Sequence, residues 1–388
     1  MMNPIRVTTD AETKRYINPL EFTKELNYSN DNYSDIIVIA SGKGGVGKTL
    51  VAANIGYYLT QKNKKVTIVD FDFASPSLHT LFNINNPQKT LKQVIYDPDF
   101  NLNDFAYETG IKNLKLICGC SDTLGMIEKS DLIVSRLIES AKHLQTDYVI
   151  FDLGTGLNKF DTKLFLQAKT GILIGTPEPT AILENFSFLK LCILQRLEQI
   201  YKGQRKEINI IREAYNNYNT KINEQIKSLI KDLNRKSAIR YLNDALHFYP
   251  EFILNMVHDD SDYPYALAID IAIKEMFGLK LKHLGTIPFC TQMRSSMMSN
   301  SIGSILNNEN GAKTCYQNIT KKLINNWGKE TLANQAIKIG KLTHLNDDFS
   351  ENNANLFCSS NCTLWNNCSY QHGGYPCKIK YIGFINTN

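Results

Sequence analysis

Short apolar runs alternate with stretches of helical spacing along most of this chain. Ile36-Ile-Val-Ile-Ala40 is rich in β-branched residues, and a glycine cluster and a helical pattern from Thr49 to Gln61 follow it. Val66–Asp70, Leu114–Cys118, Tyr148–Phe151, Gly171–Gly175, Phe252–Val257 and His283–Ile287 are further strand candidates. Ser130–His143 and Ala181–Ile200 carry helical spacing between them. Uninterrupted apolar strands separated by helices need crossover connections, so both faces of the sheet are covered. The pattern therefore predicts an α/β fold, a mostly parallel twisted sheet with helices on both faces.

The period changes between Glu207 and Arg235. Ile208, Ile211, Tyr215, Tyr218, Ile222, Ile226, Leu229 and Leu233 recur at spacings of 3 and 4, which predicts one long amphipathic helix. It lies in a helical insertion spanning about residues 196–245. Its apolar seam can bury against the α/β core or against another chain, and packing on the host domain is the simpler reading. Residues 1–34 form a polar N-terminal extension, residues 35–345 the α/β domain, and residues 346–388 a small appendage rich in Cys, Asn and Gly.

Composition adds two local features to an otherwise average chain. Hydrophobic residues make up 43% and charged residues 21% of the 388, which excludes wholesale disorder. The net charge of +5 is too small for a dedicated nucleic-acid binder, but Arg196–Arg240 holds 11 basic and 5 acidic residues and so carries the whole excess. That segment offers a surface to anionic lipid, DNA or an acidic partner, or is a solvated face. Four of the nine cysteines fall in the last 31 residues. With a polar opening and apolar runs too short to span a bilayer, the expected protein is cytoplasmic with reduced thiols.

The glycine cluster carries the chemistry. Gly42-Lys43-Gly44-Gly45-Val46-Gly47-Lys48-Thr49, followed by Leu50, is G-x-x-x-x-G-K-T placed between a strand and a helix. Glycines let successive backbone N–H groups turn around phosphate oxygens, and the helix start adds its positive end. Lys48 is expected to reach the outer phosphates and Thr49 to ligate Mg²⁺. Asp70 and Asp72 share one face at the end of the next strand. Tyr148-Val-Ile-Phe-Asp152-Leu-Gly-Thr-Gly156 is an apolar strand that ends in a carboxylate and a glycine turn.

Lys43 inside the loop makes the form K-G-G-V-G-K-T, which resembles the deviant Walker A motif of the MinD/ParA family of P-loop NTPases. The resemblance runs from about Ile36 to Trp327, with a Ser187–Pro250 stretch longer than in plain MinD, and FlhG-like proteins and MinD-like relatives carrying such an insertion look nearest. It implies an ATP-dependent homodimer in which Lys43 crosses to the partner's nucleotide; a lysine facing solvent is the plain alternative. It also implies that Asp72 orients or deprotonates the attacking water, as a switch I aspartate. Asp152 would hold a Mg²⁺-bound water, and the Gly156 amide would sense the γ-phosphate. By the same resemblance Asp70 supports the loop or the Mg²⁺ shell, Asn255 reads the adenine edge, and Pro288 packs beside the base. Gly175-Thr-Pro-Glu-Pro-Thr-Ala matches the turn that such ATPases carry before the next helix. No N-K-x-D motif is present, which points to ATP over GTP.

The implied function is a slow ATPase and dimerisation switch that positions a flagellum, division site or other cargo together with an activator or cargo protein. The C-terminal end alternates apolar and polar residues, unlike the amphipathic membrane helix of MinD, so peripheral membrane association by that route is in doubt. Cys358, Cys362, Cys368 and Cys377 lie within 20 residues and can close an S₄ site for zinc or an iron–sulfur cluster, with His372 as a substitute ligand, or remain free thiols. An iron–sulfur or metal-centre carrier is therefore the alternative function. Cys118 and Cys120 are expected to pack in the core.

Overall fold

A computed structural model describes residues 33–97, 100–121, 134–155, 159–216, 224–230, 250–259, 262–277, 281–291 and 312–326. The eight strands are β1 (Asp35–Ala40), β2 (Val66–Phe71), β3 (Ala106–Glu108), β4 (Leu114–Ile117), β5 (Tyr148–Leu153), β6 (Thr170–Gly175), β7 (Glu251–Val257) and β8 (Lys282–Pro288). They form one sheet in the order β3-β4-β2-β5-β1-β6-β7-β8. Every neighbouring pair is parallel except β3 with β4. The short β3 was not expected from the sequence. It has three residues, none buried, and no apolar run to mark it.

Period 2 divides the strand side chains between two cores. Ile36, Val38 and Ala40 of β1 face one side, and Ile37 and Ile39 face the other. The first side is covered by α4 (Lys159–Gln167), α5 (Pro179–Ile200), α6 (Arg205–Asn216) and α7 (Tyr263–Phe277), together with a helical stretch at 134–142. The second is covered by α1 (Lys48–Thr60), α2 (Leu78–Leu81) and α8 (Ala312–Asn326). A further short helix, α3 (Leu91–Tyr96), carries a Thr90/Gln93 capping box at its start. Phe151, Phe188 and Leu59 are among the fully buried side chains, each contributing about 1.5–3 kcal/mol through burial.

Strand order places the chemistry. β2, β5 and β1 are adjacent, so their carboxyl ends, where Asp70, Asp152 and the glycine loop lie, share one edge of the sheet. In open α/β sheets ligands bind at that edge.

The insertion turns back on its host. Gly203 adopts φ +89° between α5 and α6, a conformation that favours glycine. Ile211, Ile226 and Leu229 are buried in the same cluster as Cys192 and Leu194 of α5. The Tyr201 hydroxyl donates to the Leu229 carbonyl at 2.8 Å. The described part of the seam therefore packs on the α/β core. Helix is present at α6 and at 224–230, while Tyr218, Ile222 and Leu233 of the expected continuous helix lie outside the described residues. So do the N-terminal extension as far as residue 32, Gly156, and the tail with Cys358, Cys362, Cys368 and Cys377.

Candidate nucleotide site

The glycine loop is shaped from three directions. Its first amide, the Gly42 N–H, donates to the Asn185 Oδ1 of α5 at 2.7 Å. A Cβ at Gly42 would lie 2.1 Å from the Glu184 carbonyl, so only glycine permits this approach of loop to helix. At the far end, the Asn255 side chain of β7 donates from Nδ2 to the Val46 carbonyl at 2.8 Å. Gly45 and Gly47 hold φ of +77° and +85°, in the left-handed region. Among the described residues Gly45 has nothing within 4 Å of its Cβ direction and Gly44 meets only Thr155 there, so their side of the loop is open for an anion. Helix α1 begins at Lys48 with no side-chain cap on its first N–H groups, which leaves its positive end facing the loop.

Lys48 is 6% exposed, and its Nζ donates to the Ser41 hydroxyl at 3.0 Å. Ser41 in turn donates to the Lys43 carbonyl at 2.6 Å, so it braces both ends of the loop. Burial lowers the pKa of Lys48, against the pull of Asp152, Asp72 and Asp161. Lys43 reaches the start of α5. Its Nζ donates to the Glu178 carboxylate and to the Thr180 hydroxyl, the latter at 2.8 Å, at the start of α5. Pro179 opens that helix, as its fixed φ favours, and Glu178 spends its carboxylate on Lys43, making no cap hydrogen bond.

Asp70 and Asp152 face each other in register across β2 and β5, each 1% exposed. Burial raises Asp70 to about 7, although the Leu78 and Asp72 amides donate to it. Asp152 is pushed up to about 8 by burial and by Asp70, against the Thr49 hydroxyl and Lys48. Its Oδ1 has no hydrogen-bond partner among the described residues. A hydroxyl beside an unpaired, buried carboxylate oxygen suits a hard cation such as Mg²⁺, which takes oxygen ligands. Asp72 lies nearby, with Oδ1 accepting the Ala74 and Ser75 amides at 3.0 and 2.9 Å. A Cβ at Gly154 would come within 3.0 Å of that same oxygen, so Asp72 sits against the turn that follows Asp152.

The structure thus brings together Gly42, Lys43, Gly44, Gly45, Val46, Gly47, Lys48, Thr49, Asp70, Asp72 and Asp152. Leu50 follows, half-buried on α1. Asn255 touches the loop backbone directly, a contact not expected from its assigned role at the base. Pro288 ends β8 opposite Val257, beside the strand that carries Asn255. Cys118 and Cys120 are buried. The sequence reasoning missed Ser41, Glu178 and Asn185. Asn185 had a signal, being a polar residue among the apolar positions Ile182, Phe186 and Leu189 of α5. Among the described residues no group of three or more His, Cys, Asp or Glu side chains is arranged to hold a metal.

Residues 32–197 match the family described as "ParA: NUBPL iron-transfer P-loop NTPase". The chain is 28% identical over 174 residues to the flagellum site-determining protein YlxH of Helicobacter pylori, covering 42% of this chain and 55% of that one. It is 30% identical over 167 residues to the septum site-determining protein MinD of Thermotoga maritima, covering 40% and 60%. The chain thus spans little more than half the length of these relatives. Among solved structures, the Pyrococcus furiosus cell division ATPase MinD superposes with a TM-score of 0.50 at 18% identity, covering 75% of this chain and 99% of that one, a likeness of fold. The segment that carries the glycine loop, Asp72 and Asp152 is thus similar to the ParA family of P-loop NTPases.

Proposed function

We propose that this chain is an ATP-binding, slowly ATP-hydrolysing dimerisation switch that positions a cellular structure. The observation that supports it most is the loop: open at Gly44 and Gly45, with a buried Lys48 facing Asp152 and Asp72. Lys48 balances phosphate charge, and Thr49 with Asp152 holds Mg²⁺, which supplies charge neutralisation at the phosphates. Asp72 orients the attacking water from the end of β2. Lys43 leaves Glu178 and Thr180 to reach the partner subunit's nucleotide when two ATP-bound copies meet. Gly156, Asn255 and Pro288 complete the nucleotide contacts. The ATPase domain occupies residues 35–345, and the basic insertion offers a face to a membrane, DNA or an activator. The flagellar and septal assignments of the relatives YlxH and MinD support a positioning role. Nucleotide-binding and turnover assays test this reading: the full chain should bind and slowly hydrolyse ATP with Mg²⁺, and Lys48→Ala should do neither. A wild-type chain that binds no ATP sinks it.

A second reading, an iron–sulfur or metal-centre carrier, is favoured by the iron-transfer description of the matching family and by Cys358, Cys362, Cys368 and Cys377. Metal analysis and an absorption spectrum of anaerobically purified protein decide it, since a cluster absorbs in the visible and zinc does not.

A further inference from the structure

Asn185 joins the glycine loop to the body of α5. It is 0% exposed, and both ends of its carboxamide are used. Oδ1 accepts the Gly42 N–H at 2.7 Å, and Nδ2 donates to the Ile174 carbonyl near the end of β6 at 3.0 Å. The two glycines beside it leave no room for slack. A Cβ at Gly42 would strike the Glu184 and Asn185 backbone at 2.1 and 2.6 Å, and a Cβ at Gly175 would come within 2.9 Å of Asn185 Nδ2. One side chain therefore sets the height of the loop's first amide against the end of β6, on a helix whose first turn also holds Lys43 through Thr180.

We propose that Asn185 is a positioning residue for the nucleotide: its carboxamide holds the entry to the phosphate loop in binding shape and ties that loop to α5. The Gly42 N–H points at Asn185, so the residue acts through the loop and not on the phosphates. Without the carboxamide, the buried Gly42 N–H and Ile174 carbonyl lose their partners, and the loop entry is free to shift. A loop that must be reshaped at binding holds its ligand less tightly than one already formed. Asn185→Leu removes both hydrogen bonds at similar volume, whereas Asn185→Asp keeps the acceptor for Gly42.

The inference rests on the reading that the loop binds ATP, and the experiment separates the two. Dissociation constants for ATP and ADP with Mg²⁺, KM and kcat for ATP, and melting temperatures without nucleotide are measured for wild type, Asn185→Leu and Asn185→Asp in the full chain. Asn185→Ser stands in for the leucine variant if that variant does not fold. The expected result is about a tenfold rise in Kd and KM for the leucine variant with kcat within about threefold, a change of about 1.4 kcal/mol in binding, and a smaller rise for the aspartate variant. Melting temperatures that fall while Kd and KM stay at wild-type values overturn the positioning role and leave a structural hydrogen bond. Equal losses in the leucine and aspartate variants overturn the assignment to the Gly42 contact. Wild-type protein that binds no ATP fails the nucleotide reading instead.

Discussion

Asp70 and Asp152 stand opposite each other on adjacent parallel strands, both closed off from solvent at the edge where the phosphate loop ends. Burial favours the neutral form of each; Asp70 further disfavours the charge of Asp152, and Asp72 that of Asp70. Between the ordinary carboxylate range near 4 and the raised values of about 7 and about 8, the folded chain keeps protons that the unfolded chain gives up. Stability of the nucleotide-free protein therefore falls as pH rises through that window. Asp152→Asn removes its share of the cost. Thermal melting should show this variant several degrees more stable than wild type at pH 8, with the gap closing toward pH 5. A gap that is constant with pH contradicts the pairing.

Lys43 and Glu178 form an ion pair that the proposed dimer must open. The side chains are 30% and 57% exposed, and such pairs are worth about 0–1 kcal/mol, so the hold is weak. Each of the two subunits opens one such pair, so Glu178→Gln should strengthen ATP-dependent dimerisation by no more than about thirtyfold in analytical ultracentrifugation. Lys43→Ala should leave ATP binding in the monomer but abolish the dimer. A stable ATP-dependent dimer of the alanine variant would show that Lys43 has no role across the interface.

Asn255 braces the far side of the loop. Asn255→Ala leaves the Val46 carbonyl without its side-chain donor and opens space beside Gly47. Fluorescent-nucleotide titration should then show ATP affinity about tenfold weaker. Unchanged affinity would remove Asn255 from the site.

Gly42→Ala tests the packing of loop on helix. The added methyl meets the Glu184 backbone, which cannot turn aside as a side chain can. Circular-dichroism melting should show a loss of about 1–3 kcal/mol or more, with nucleotide binding lost as well. A stable alanine variant that binds ATP normally would mean that α5 can retreat from the loop.

Much of this site was legible because its residues are close in the chain. Gly42–Thr49 occupies one turn between a strand and a helix, and the apolar strands ending in Asp70 and Asp152 announce themselves by composition. Contacts made across the fold carried no such mark. Asn185 reaches back 143 positions to Gly42, and Asn255 reaches back 209 to Val46. Their roles depend on β1, β6 and β7 lying side by side, which no local period encodes. Glu178 illustrates the same limit. The T-P-E-P-T turn was visible as a motif, but the pairing of its carboxylate with Lys43 depends on where α5 meets the loop. The edge strand β3 escaped notice for a simpler reason, since its residues are too few and too exposed to show a pattern.

The brace from Asn255 also has a bearing on biogenesis. The phosphate loop precedes Asn255 by 209 positions, yet its observed form includes a contact that exists only once β7 has joined the sheet. Closing so long a loop of chain is slow compared with forming a local turn. A chain emerging from the ribosome would make the 209 positions between Val46 and Asn255 with the glycine segment present but unshaped. If the chain is the proposed ATPase, tight ATP capture would begin only once β7 has joined the sheet, so nucleotide occupancy would report on the assembly of that sheet.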